Sequence, residues 1–180
     1  MTIVPLTFRT LPTERLSDAD RAAILAVCTD AYEEDFREYL RLIGRGVHLL
    51  GEQAGTLVSH AMWVERELRV GPEKRALRGA YIEAVATAAA HQRRGHGSTL
   101  MRALPPLLGD FDIAALCPSV PEWYASLGWE PWRGPLGVIH NGHWLATAEE
   151  EVMVYRLPRT PADLDLGWRM EGDWREGEVW

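Results

Sequence analysis

The chain has 180 residues, 47% of them hydrophobic and 25% charged, with a formal net charge of −7. That length and balance fit one soluble globular domain over residues 1–180, and the acidic sign argues against a nucleic-acid binder while suiting a small cationic partner. Cys28 and Cys117 are too few for a disulfide framework and have no zinc-site spacing, no apolar run nears the roughly 20 residues of a membrane span, and "MTIVPLTFRT" lacks a signal-peptide pattern. A reduced, cytoplasmic protein with no metal and no membrane contact is expected.

In chain order, "IVPLTFRT" reads as a short strand, and "LSDADRAAILAVCTDAY" as a helix capped by Ser17 or Asp18 with Ile24, Val27 and Cys28 on one face. "EDFREYLRLIG" continues the helical period and stops at Gly44. "VHLLGEQ" and "TLVSHAMWVERELRV" form a hairpin joined at Ala54-Gly55, "GPEKR" is a turn, and "ALRGAYIEAVAT" is a further long strand. A basic glycine loop, "QRRGHG", leads into a helix with Leu100, Met101, Leu104 and Leu108 on one face, which Pro105 and Pro106 must end or kink. "DIAALC" is a buried strand, "PEWYASLG" a short helix, and "GVIH" with "EEVMVYRLP" a closing hairpin. A meander followed by helical crossovers predicts an α+β fold: a mixed sheet with helices on its faces.

The strand-loop-helix context of the glycine loop carries chemistry. Its backbone N–H groups and the helix N-terminus converge on one spot, and Gly95 and Gly97 allow close approach of a pyrophosphate. No lysine-hydroxyl pair follows the second glycine, so this is not a mononucleotide P-loop, and no acidic strand end about 20 residues on supports a dinucleotide fingerprint.

Gln92-Arg93-Arg94-Gly95-His96-Gly97 resembles the acyl-CoA pyrophosphate loop of the GCN5-related N-acetyltransferases (GNAT), and "EWYASLGW" resembles that superfamily's late helix. The resemblance implies a mixed sheet splayed between its fourth and fifth strands, with acetyl-CoA as co-substrate held by residues 92–98, including Ser98. "AYIEAVAT", "YEEDF" and the final "GDWREGEVW" further resemble the aminoglycoside 2'-N-acetyltransferases, in which the terminal tryptophan carboxylate joins the antibiotic site. A homodimer, and a cationic amine as the small-molecule partner, are the expected associations.

Acetyl transfer to an amine needs a base, an acid for the leaving thiolate, a polarised carbonyl and alignment. Glu83 is the candidate base, sharing a strand face with Tyr81 and Val85 by the period of two; the alternative is a salt bridge to Arg78 or Arg69. A carboxylate of pKa about 4.3 is a weak base for an ammonium, so Glu83 is expected to act through water, and also to bind substrate by attracting the cation. Tyr124 is the candidate acid, the alternative being a packed aromatic beside Trp123 and Trp129. The resemblance assigns carbonyl polarisation to the Val85 N–H at a local bulge, with Thr87 pairing the pantetheine arm. By matched position Asp35, Glu150, Glu178 and Trp180 would meet substrate ammonium groups; read as composition alone, their acidic runs are solvated faces. His60, His91, His140 and His143 have no assigned role. Departures at "LCPSVPEW" and at Tyr39-Leu40, where the family carries a serine-rich stretch and an acid, leave the antibiotic open, an unusual one such as kasugamycin included. The same-class alternative is a polyamine or protein N-terminus as acceptor; the other-class alternative is a silent acyl-CoA sensor.

Overall fold

The computed structural model describes residues 5–177 together with 179 and 180. Two compact units divide the chain: the first holds residues up to Val64 and Ile82–Leu104, the second Glu65–Tyr81 and Pro105–Trp180. Two long strands therefore contribute residues to both.

The first unit begins with β1 (Thr7–Pro12), which pairs antiparallel with β2 (Val47–Gln53), Thr7 opposite Glu52 and Pro12 opposite Val47. Between them lie α1 (Asp18–Tyr32) and α2 (Arg37–Ile43). Ser17 caps α1 through a full capping box with Asp20, which satisfies two orphan backbone donors at once. The buried face of α1 is Ile24, Val27 and Cys28, as its apolar spacing requires. β2 turns back into β3 (Thr56–Val70) through Ala54 and Gly55, whose φ values of 51° and 78° make the two-residue turn that matches strand twist. β4 (Arg75–Thr87) delivers its last six residues to this unit and leads to α3 (His96–Ala103). A Cβ on Gly51 would stand 3.1 Å from Leu100, so α3 rests closely on β2.

In the second unit, β5 (Ile113–Leu116) runs parallel to β4, pairing Gly79–Tyr81 with Ile113–Ala115. That pairing ends at Tyr81, while β4 continues to Thr87. α4 (Pro121–Ser126) starts on a proline and leads to β6 (Glu130–Pro131). β7 (Leu136–His140) forms a hairpin with β8 (His143–Ala146) across Asn141-Gly142, φ 50° and 78°. β9 (Met153–Arg156) pairs antiparallel with β5 and β6, and β10 (Met170–Asp173) runs between β7, parallel, and the end of β3, antiparallel.

The expected closing hairpin of "GVIH" with "EEVMVYRLP" is thus wrong. "GVIH" closes on the following "HWLA", and β9 crosses to the other side of β4 to cover β5. The Asn-Gly pair carried that information, being the strongest short-range hairpin signal. Strand β10 was unforeseen because it is four residues long and contains Glu171, a charged residue that is only 2% exposed. Burial alone would raise the Glu171 pKa, but hydrogen bonds from Lys74 and Arg69 hold it below the ordinary value. Among the described residues no helix is long and apolar enough to cross a membrane.

Candidate acetyl-transfer site

In the first unit the glycine loop grows out of β4 under tight control. Ser59 and Thr87 hydroxyls meet at 2.9 Å, Ala88 N–H donates to the Val58 carbonyl at 2.9 Å, and Ala89 N–H donates to Asp30 at 2.6 Å. Arg93 and Gly95 both have left-handed φ, 58° and 82°, and Gly95 is the N-cap of α3. Two such residues with one residue between them curl the backbone so that successive N–H groups face one side. No side chain caps α3, so the amides of His96, Gly97 and Ser98 stand at a positive helix end. Residues 92–95, Arg93 and Arg94 among them, are exposed. This arrangement fits a pyrophosphate. Two expectations change in detail. Gln92 turns its amide back to the Thr87 carbonyl at 3.0 Å, bracing the loop. The His96 ring is buried, and burial, then the neighbouring His91 and Arg94, lower its pKa, so it is a packed neutral ring and only its amide faces the loop.

Glu83 lies on β4, only 5% exposed, and its Oε2 accepts the Tyr39 hydroxyl at 3.0 Å. The salt-bridge alternatives are otherwise engaged: Arg78 binds Glu65, and Arg69 binds Glu67, Glu171 and Asp173. Ala84 has φ 50°, a left-handed residue inside a strand, so the simple alternation that paired Glu83 with Val85 on one face breaks there. The Ala84 carbonyl accepts from His60 Nδ1 at 2.8 Å, and the Val85 carbonyl accepts the Tyr32 hydroxyl at 3.0 Å. Tyr32, Phe36 and Tyr39 stack as a ladder, with centroids 4.5 and 4.6 Å apart. Tyr39 and Tyr32 are functional candidates that the residue-type reading missed. Their signal was the aromatic spacing i, i+4, i+7 from the end of α1 into α2. Asp35 is exposed; it accepts from the Arg37 amide at 3.1 Å and pairs with the Arg37 guanidinium at 3.3 Å.

In the second unit Tyr124 is buried on α4, edge-on to Trp129. Burial first, and then the nearby Cys117, raise its pKa, so the phenol stays a proton donor at every working pH. Cys117 Sγ lies 3.9 Å from Glu150 Oε2, and the Glu150 amide donates to the Thr147 carbonyl at 3.0 Å. Trp180 is 2% exposed; its indole N–H donates to Thr147 Oγ1 at 2.7 Å and the Arg66 guanidinium lies 5.5 Å from its ring centroid. Thr147 therefore brings Trp180 and Glu150, far apart in sequence, to one turn. Trp174, by contrast, is half-exposed on His140. Glu178 lies outside the described residues.

Residues 13–132 match the family model described as "Acetyltransferase (GNAT) domain". The chain is 32% identical, over 97% of its length and 92% of the relative's, to an aminoglycoside 2'-N-acetyltransferase of Mycolicibacterium fortuitum. Its fold is similar to that of a GNAT family N-acetyltransferase (YhbS) from Escherichia coli in complex with CoA, with TM-score 0.66, 16% identity, and coverage of 96% of this chain and 92% of that one. A GCN5-related N-acetyltransferase from Kribbella flavida shares the fold at TM-score 0.54 and 23% identity over 75% of this chain, which spans only 36% of that larger protein. The mixed sheet, the glycine loop opening α3 and these likenesses agree: the chain belongs to the GNAT acetyltransferase family.

Proposed function

We propose that this protein moves the acetyl group of acetyl-CoA to a primary amine, the 2'-amino group, of an aminoglycoside and so confers resistance to it. The observation that carries this reading is the 32% identity, over nearly the whole length of both chains, to a protein named for that activity. In this reading the amides of residues 96–98 with Arg93 and Arg94 hold the pyrophosphate, and Thr87 with the Val85 backbone aligns the pantetheine arm and thioester. The substrate nitrogen attacks the thioester carbon; the N–C bond forms, the C–S bond breaks, and the Val85 N–H stabilises the developing oxyanion. Glu83 takes the amine proton through water, and Tyr124 gives its hydroxyl proton to the departing sulfur.

Acidic groups are the natural partners of the remaining ammonium groups of such a substrate. Glu150, with its backbone held to the Thr147 turn where Trp180 docks, suits that role better than Asp35, already in a surface pair with Arg37. Thiol release from acetyl-CoA across a panel of 2'-amino aminoglycosides, kasugamycin, spermidine and peptides tests the proposal. Release with an aminoglycoside, and a product acetylated at N2' by mass spectrometry and NMR, is the expected result. Release with spermidine or peptides alone would move the acceptor class, and acetyl-CoA binding without release to any amine would favour a sensor.

A further inference from the structure

Four hydrogen bonds lead from the edge of the first unit to the strained residue of β4, and they admit one direction. A carbonyl can only accept, so the proton between His60 and Ala84 sits on His60 Nδ1 (2.8 Å). In a neutral imidazole the other nitrogen is then a lone pair, and His60 Nε2 must accept from His48 Nδ1, 2.9 Å away. His48 Nε2 is left as an acceptor in turn, and the Thr13 hydroxyl, 3.0 Å from that nitrogen and 3.0 Å from the Gly46 carbonyl, turns its single proton to the nitrogen, because the Gly46 carbonyl already accepts the Thr13 amide. Thr13 is fixed by its own neighbours, its Oγ1 accepting the Gly46 amide at 2.9 Å while its amide donates to the Gly46 carbonyl at 2.9 Å. The β2–β3 register makes this possible: His48 stands opposite Met62 and His60 opposite Leu50, so the two rings are diagonal neighbours.

The neutral state is enforced by burial. His60 is fully buried and His48 4% exposed, and desolvation pulls their pKa values down to about 3 and about 4. Protonating His60 would set its Nε2–H against the Nδ1–H of His48. A left-handed residue within a strand turns its carbonyl out of the ladder, and that oxygen needs a donor. His60 supplies it. The residues on either side of Ala84 are Glu83, whose carboxylate accepts from Tyr39 of α2, and Val85, whose carbonyl accepts from Tyr32 at the end of α1.

We propose that the Thr13–His48–His60 chain is a positioning device: it holds the Ala84 peptide in its turned orientation and so sets the Glu83 carboxylate and the Val85 amide for acetyl transfer. This rests on the roles given to Glu83 and Val85 above. His60 and His48 touch neither substrate nor reacting atoms; they act through the backbone of Ala84.

The test has two arms. Imidazole nitrogen NMR of the whole protein is expected to show His60 protonated on Nδ1, the reverse of the usual solution preference, and His48 likewise; a proton on His60 Nε2 overturns the proposal. For the second arm, His60→Leu is expected to lower kcat about ten- to a hundredfold, because a small misplacement at the reacting centre costs that much, with KM for the amine and acetyl-CoA affinity nearly unchanged. His60→Asn, whose side-chain N–H stands near the lost Nδ1–H, recovers most of that loss. A folded His60→Leu protein with wild-type kcat overturns the proposal even if the tautomer is as stated. The NMR arm needs no substrate, so a wild-type protein inactive on every amine would sink the functional reading while the position of the His60 proton still decides this one.

Discussion

At Glu83 the environment matters more than the residue type. A carboxylate on a strand is ordinarily a surface group, but this one is nearly buried and is held by a phenol from α2. Glu83→Gln keeps an oxygen for Tyr39 while removing the negative charge and the ability to take a proton. We expect kcat to fall about a hundredfold, within the usual range for removing a general base, with acetyl-CoA affinity unchanged by calorimetry. The acidic limb of the kcat/KM profile should flatten in the same variant. Tyr124→Phe removes one hydroxyl from a buried ring that keeps its packing against Trp129. It should slow the chemical step and leave cofactor binding alone, which single-turnover kinetics would separate.

The elements that carry these residues depend on local backbone chemistry. Ser17 with Asp20 starts α1, and the Ser17 contacts hold the Asp20 carboxyl well below its usual pKa, at about 2. Ser17→Ala should destabilise the protein by about 1 kcal/mol, measured by urea unfolding, with little change in kcat because the cap touches no site residue. Gly95 is the corresponding point for α3. A Cβ there meets nothing within 4 Å, yet φ 82° is strained for any side-chain-bearing residue. Gly95→Val should therefore weaken acetyl-CoA binding at least tenfold by calorimetry, as roughly 1–2 kcal/mol of backbone strain reorients the loop amides. Amine KM should be less affected.

For the molecule as a whole, the buried histidines tie stability to pH. In the unfolded chain His48 and His60 titrate near 6.5, whereas folded they titrate at about 4 and about 3. Below pH 6.5 the unfolded state therefore binds more protons than the folded one, and stability falls as pH drops through that window. Calorimetric melts at pH 7.5 and pH 5 should show this loss in the wild type and a smaller one in His48→Leu. The tail is the other whole-chain feature. Burying an indole such as Trp180 contributes on the order of 1.5–3 kcal/mol, enough to hold residues 179–180 against the second unit in which they lie. Removing Val179 and Trp180 should raise the amine KM and leave acetyl-CoA affinity unchanged; unaltered amine kinetics would make the tail a bystander.

Much of this protein was legible in its residues because the signals were local. The capping of α1, its buried face, the Ala54-Gly55 hairpin, the glycine loop and the proline stop of α3 each follow from neighbours in the chain. The glycine loop proposed to hold acetyl-CoA was readable for the same reason: an anion site at a helix N-terminus is built from consecutive backbone amides. What tertiary structure decided is every pairing between distant segments. Period-two patterning says which face of a strand is apolar but not which strand lies beside it, so β9 was given to β7 when it belongs to β5. The turned peptide at Ala84 has no residue-level signature, since alanine does not favour positive φ; its carbonyl accepts from His60 of β3, while Tyr39 of α2 bonds the Glu83 side chain and Tyr32 of α1 the Val85 carbonyl. His60, which had no assigned role from the sequence, and His48 meet only because the β2–β3 register sets them diagonally. Composition determines which groups must be buried or paired, and the fold alone determines with whom.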